Sequence, residues 1–137
     1  MTPVASKLRF YVDESALGLG KALTIARTDT IHCGHMLIPE CELGIHDEDW
    51  IPIVAGKGLV AIARDKKIRS KPVEKQAIKN SSLRGFLIGG KEDMSTWGWL
   101  KRFVGQWDAI EQVISEHPEG PWLYSINKYG VSEVVLD

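Results

Sequence analysis

Several carboxylates in this chain stand where they could act together. Asp13 and Glu14 directly follow the apolar run Phe10-Tyr11-Val12, and Asp65 follows a second run, Leu59 to Ala63, after Arg64. Asp47-Glu48-Asp49 opens a further segment between them. Carboxylates gathered at one place repel, and each resists ionising unless a cation neutralises the site. Oxygen-only ligands suit hard divalent ions such as Mg²⁺ or Mn²⁺. An ion so held polarises a phosphoryl oxygen and acidifies bound water, which is chemistry for hydrolysing phosphodiesters with no Ser or Cys nucleophile. Taken singly, the same acids read as helix caps and solvated turn residues.

Such a site requires elements that aim the acids at one point. Leu8 to Val12 reads as a first strand, and Ser15 as the cap of a helix over Ala16 to Arg27, with Leu19, Leu23 and Ala26 at helical spacing. Gly18 and Gly20 weaken its first turn. Residues 28–46 show no period and read as a long loop. A short helix lies between Asp47 and Ala55. Pro52 favours Asp49 as its cap, because the proline then falls in the tolerant first turn. Leu59 to Ala63 is a buried strand, Val73 to Lys79 a helix, and Arg84 to Ile88 another strand. Ser95 caps a helix whose stripe is Leu100, Phe103, Val104, Trp107, Ile110 and Ile114, running to His117-Pro118. Trp122 to Leu136 supplies one or two further strands with a turn at Tyr129-Gly130. Strand and helix patterns alternate, the mark of an α/β layered domain with a mostly parallel sheet. In such sheets ligands bind beyond the carboxyl ends of the strands, which is where Asp13 and Asp65 fall.

Composition narrows the classes. The chain has 137 residues, 17 Lys and Arg against 18 Asp and Glu, and 44% hydrophobic residues. That is globular usage for one domain spanning residues 1–137, and a charge of −1 excludes a globally basic nucleic-acid binder. No apolar run approaches the ~18 residues of a membrane helix. The first residues lack a secretory pattern, so a cytoplasmic protein with Cys33 and Cys41 reduced is expected.

The quoted segments resemble a known family. Phe10-Tyr11-Val12-Asp13-Glu14, Asp47-Glu48-Asp49-Trp50 and Val60-Ala61-Ile62-Ala63-Arg64-Asp65-Lys66-Lys67-Ile68 are similar to the PIN-like domains of VapC-type toxins. Phe86-Leu87-Ile88 and Ser95-Thr96-Trp97 fit the same pattern, so the similarity covers roughly residues 8–136. It implies a three-layer PIN-like fold, a mostly parallel sheet with helices on both faces. It also implies a metal-dependent endoribonuclease restrained by a small antitoxin protein, with homodimers common. By this resemblance Asp13, Asp47 and Asp65 are the Mg²⁺ or Mn²⁺ ligands and catalytic acids, and Glu14 orients a ligand or water. The chain departs from the pattern at Lys67, where many relatives carry a further acid, and at Ala63, where Thr is usual.

Other features are weighed beside that reading. Lys66, Lys67 and Arg69 follow Asp65 and are candidates to track an RNA backbone. Trp107 belongs to the core stripe, while Trp50, Trp97 and Trp99 near helix starts suit packing or a partner surface. His32, Cys33, His35, Cys41 and His46 are metal-competent types at spacings that match no zinc module. Gly18-x-Gly20 and Gly89-Gly90 lack the rest of a phosphate-cradling loop. Two other readings explain the acids. One is a PIN-like binding module without catalysis. The other is a phospho-receiver-like signalling domain with Asp65 as acceptor, Thr96 as switch hydroxyl and Lys128 as its lysine.

Overall fold

The computed structural model describes residues 7–65, 71–89 and 94–136. Its described strands form one six-stranded sheet in the order β2-β1-β3-β4-β5-β6. These are β1 (Phe10–Val12), β2 (Thr30–His32), β3 (Val60–Arg64), β4 (Arg84–Ile88), β5 (Trp122–Asn127) and β6 (Gly130–Val134). The first five are parallel, and β6 returns antiparallel on β5. The helices are α1 (Leu17–Ala26), α2 (Asp47–Gly56), α3 (Pro72–Ser81), α4 (Thr96–Gly105) and α5 (Trp107–Glu116). This is the α/β layered architecture with a mostly parallel sheet that the alternating pattern predicts, with helices on both faces as the resemblance implies.

The layers follow from the two-residue period of the strands. Tyr11, Ala61, Ala63 and Leu87 face one side, where Trp50, Ile51 and Val54 of α2 and Ile78 of α3 cover them. Phe10, Val12, Ile62, Phe86 and Ile88 face the other, under Leu19 and Leu23 of α1, Trp99 and Phe103 of α4 and Ile110 of α5. Near-continuous apolar strands are what a parallel sheet buried on both faces needs.

The structure corrects several local expectations. Asp13 caps the chain turn after β1: its carboxylate accepts from the Ser15 N–H at 3.1 Å, opening a short 3₁₀ turn over Glu14–Ala16 that runs into α1. Ser15 instead accepts from the Arg64 N–H at 3.1 Å. Residues 28–46 are not all loop, because Thr30–His32 adds a three-residue edge strand to β1. So short a strand leaves no period to read.

Helix α2 begins at Asp47 with His46 as its cap, three residues before the expected cap at Asp49, and Pro52 lies inside it. Proline there leaves the Glu48 carbonyl without its helical donor. Pro52 is exposed, so that carbonyl can meet water, while burial of Trp50, Ile51 and Val54 favours the longer helix. The stripe beginning near Leu100 is broken between α4 and α5 at Gln106, and Val104 lies 60% exposed outside the core. The two glycines of α1 admit close packing: a Cβ at Gly20 would stand 2.8 Å from that of His32 and 3.0 Å from that of Val12. One at Gly18 would collide with the Thr96 hydroxyl, so α1 and α4 meet there.

Candidate active site

Strand β1 connects to β2 on one side of the sheet, and the chain then crosses to β3 on the other. At that switch the connections leave β1 and β3 in opposite directions, opening a crevice beyond their carboxyl ends. Asp13 follows β1 and Asp65 follows β3. Val12 pairs with Ile62, so continuing the register puts Asp13 beside Ala63, with Asp65 two residues further. Backbone bonds hold both ends: the Asp13 N–H donates to Ile62 O at 2.8 Å and the Asp65 N–H to Ile88 O at 2.9 Å. The Ser15 hydroxyl, accepting from Arg64, ties the two strand ends together. Both acids are buried, Asp13 to 6% and Asp65 to 8% exposure.

The third acid comes from the cover helix. Asp47 stands in the first turn of α2, and its carboxylate accepts from Trp50 Nε1 at 2.9 Å. Trp50 is itself fixed, 1% exposed with its ring 5.4 Å from that of Tyr11. Asp47 is half-buried and its charge reaches Asp13, whereas Asp49 points outward and is exposed. Asp47 is therefore the member of the acidic triplet at this crevice.

The electrostatics at Asp13 are those of a buried carboxyl. Burial raises the Asp13 pKa above its ordinary value; the Ser15 contacts oppose that rise and the Asp47 charge adds to it. Asp13 has no cationic partner among the described residues. Behind it, Tyr11 places a buried hydroxyl beside the Cys33 thiol, and burial raises its pKa. Cys33 and Cys41 are free, fully buried thiols in the same layer, the latter pushed up to about 11 by burial. They are packing groups in the protonated state.

Glu14 is turned to a different task. It is exposed, and its carboxylate accepts from the Gly44 N–H at 2.6 Å, fastening the 33–46 segment over the β1 end. His46 contributes its backbone carbonyl to the start of α2 and its side chain makes no cap. Lys66, Lys67 and Arg69, the expected RNA contacts, lie outside the described residues.

Sequence reasoning passed over three residues that the structure brings forward. Ser15 read as a helix cap, yet it joins β1 to β3. Trp50 read as packing or surface, yet it also orients Asp47. Glu74, hidden in a lysine-rich stretch, is 4% exposed on α3 with Lys71 Nζ at 3.6 Å. Its spacing of four from buried Ile78 was the available signal.

Hard oxygen donors, burial and a raised carboxyl fit a divalent cation in chemical kind. In the arrangement described, no three His, Cys, Asp or Glu residues among the described ones are already set to hold a metal ion. The carboxylates would have to draw together around one.

The fold and crevice define a doubly wound α/β domain with acids at its switch point, a sheet order that phospho-receiver-like domains share. The comparison of families separates the two: the model of the PIN like domain matches residues 8–90, from β1 through β4, and the chain belongs to that PIN-like family. PIN domains are commonly nucleases, so the fold is of a nuclease type. No curated protein and no solved structure matches the chain. No helix among the described residues is long and apolar enough to cross a membrane.

Proposed function

We propose that the protein is a Mg²⁺- or Mn²⁺-dependent endoribonuclease, the VapC-type toxin of a type II toxin–antitoxin pair. One observation carries this reading: Asp13, buried at the switch point, has its pKa raised by burial and by Asp47, while no cation among the described residues answers it. Asp13, Asp47 and Asp65 would hold the ion. Such an ion supplies a Lewis acid for the phosphoryl oxygen and acidifies bound water for attack on a phosphodiester.

The chain's own groups do the positioning. Ser15 keeps the Asp13 and Asp65 strand ends at a fixed offset, Trp50 directs the Asp47 carboxylate, and Glu14 holds the 33–46 segment beside the crevice. Lys66, Lys67 and Arg69, directly after Asp65 in the chain, would meet RNA. A single domain over residues 1–137 in the cytoplasm, a small antitoxin and a homodimer complete the reading.

The test is cleavage of total RNA with Mn²⁺ or Mg²⁺, by the protein and its Asp13→Asn variant. Metal-dependent cleavage that disappears in the variant is expected; equal cleavage by both proteins overturns the assignment. The inactive-module alternative predicts metal binding by calorimetry with no cleavage from either.

A further inference from the structure

We propose that a second, basic groove on the α4 side of the crevice, with exposed rings beside its lysines, binds single-stranded RNA. It rests on the nuclease reading for the source of the strand, but on different residues. The groove has a volume of about 490 Å³, and its lining includes Met94, Gly98, Lys101, Arg102, Gln106 and Lys128. No acidic residue among the described ones lines it.

Its place in the fold connects it to the acids. Lys128 directly follows β5, which is parallel to β3 and β4, so it lies at the same carboxyl edge as Asp65. Gln106 Nε2 donates to Lys128 O at 3.5 Å, joining the α4–α5 break to that edge. Toward the crevice, the Arg64 guanidinium stands 5.1 Å from the Trp99 ring centre and that of Arg102 5.7 Å from it. Arg64 is the neighbour of Asp65. A line of cations and rings thus runs from the acidic crevice into the groove.

The groove pairs cations with exposed rings. Lys101 Nζ is 5.9 Å from the ring centre of Trp97, which is 64% exposed. Lys128 Nζ is 5.7 Å from that of Tyr129, which is 89% exposed. Neither lysine forms an ion pair among the described residues. Large rings left in water cost burial energy that a partner can recover. Alternating cations and exposed rings suit a strand whose phosphates meet ammonium groups while its unpaired bases stack. A duplex hides its bases, so it would use the lysines and leave Trp97 and Tyr129 idle. Two lysines without an ion pair among the described residues favour the polyanion over an apolar protein segment.

The test measures binding of a fluorescent 20-nucleotide oligouridylate by anisotropy in chelator, so that cleavage plays no part. Lys101→Ala with Lys128→Ala should lower affinity about tenfold at 0.1 M salt and reduce the slope of log affinity on log salt by about 1.4, two single-strand phosphate contacts. Trp97→Ala should weaken binding about 5- to 150-fold. The charge-matched control is Lys7→Ala with Lys79→Ala, at the amino edge of the sheet, and it should bind as the parent does. All three sites are at the surface, and unchanged Tm shows that each variant folds. A groove variant that binds like the control, or a parent that binds no oligouridylate, overturns the proposal. Cleavage is scored separately. Cleavage with unaltered groove-variant binding removes the groove and leaves the nuclease; groove-dependent binding without metal-dependent cleavage does the reverse.

Discussion

Two buried aspartates sit at opposite edges of one sheet and meet opposite fates. Asp29, entering β2 at the amino edge, is 8% exposed and Asp13, leaving β1 at the carboxyl edge, is 6% exposed. Burial pushes both carboxyls up. At Asp29 that push is outweighed by Arg27, bonded at 2.8 Å through two nitrogens, by the Thr30 hydroxyl and by Arg9, so its pKa is lowered. At Asp13 burial is opposed only by contacts with Ser15 and the Glu14 backbone, Asp47 adds repulsion, and the pKa is raised. The protein thus neutralises Asp29 with arginines and gives Asp13 no ion-pair partner among the described residues. Buried polar groups without compensation are costly, and their persistence points to function over stability.

The largest effect that would break this contrast is catalytic. Asp13→Asn should reduce metal-dependent RNA cleavage by about a hundredfold or more, read by gel assay at saturating Mn²⁺. Asp29→Asn should leave the cleavage rate of the folded protein near the parent's. Comparable losses in rate from the two changes would erase the distinction.

Stability should rank them the other way. Asp29→Asn weakens a charge-assisted network and leaves Arg27 and Arg9 short of a partner, costing about 1–2 kcal/mol in urea titration at pH 7 after allowance for the exposed arginines. Asp13→Asn keeps the cap, since Asn caps as well as Asp, and removes a poorly solvated charge. Without divalent metal it should raise Tm at pH 7 by a few degrees. Mn²⁺ should stabilise the parent and not the variant, because a ligand that binds only the folded state shifts unfolding by mass action.

The pH dependence sharpens the same point with opposite signs. The lowered Asp29 pKa contributes stability above the ordinary value of 3.8, lost as pH falls through the folded value below it. The raised Asp13 pKa favours folding only while the carboxyl is protonated. Its contribution is full below 3.8 and is lost as pH rises through the folded value above it. Melting curves from pH 3 to pH 7, about the span of these titrations, should show the Asp13→Asn advantage growing with pH and the Asp29→Asn deficit doing the same. An Asp13→Asn advantage that shrinks as pH rises would contradict the raised pKa.

A smaller effect tests how Asp47 is aimed. Trp50→Phe preserves the ring against Tyr11 and removes the Nε1–H donor, so it should cost about 1 kcal/mol of stability. It should lower cleavage about tenfold, as loss of a group that orients a metal ligand does. At the cap of α4, the Ser95 hydroxyl accepts from the Gly98 N–H at 3.2 Å. Ser95→Ala should cost about 1 kcal/mol and leave cleavage unchanged.

Much of this arrangement was legible from residue order. Apolar runs followed by acids marked β1 and β3, and the alternation of strands with helical stripes marked a parallel sheet. Ser95 was readable as a cap because its hydroxyl bonds a group three residues away. The edge strand at Thr30–His32 was not, since its three residues take their conformation from pairing with β1. The start of α2 was misjudged because a local rule about Pro52 weighed against burial of Trp50 and Ile51 that only the sheet makes available. The break at Gln106 was hidden because the periodic stripe continues across it.

By itself, then, the sequence determined most of the strands and which acids follow β1 and β3, because these depend on short-range pattern, and its motifs carried the likeness to PIN-like domains. The tertiary structure decided which acid of 47–49 faces Asp13, that Glu14 fastens a loop, that Ser15 couples two strand ends, and that Lys101 and Lys128 share one groove. Those outcomes depend on side chains far apart in the chain meeting at one edge of a sheet, and no local pattern encodes that distance.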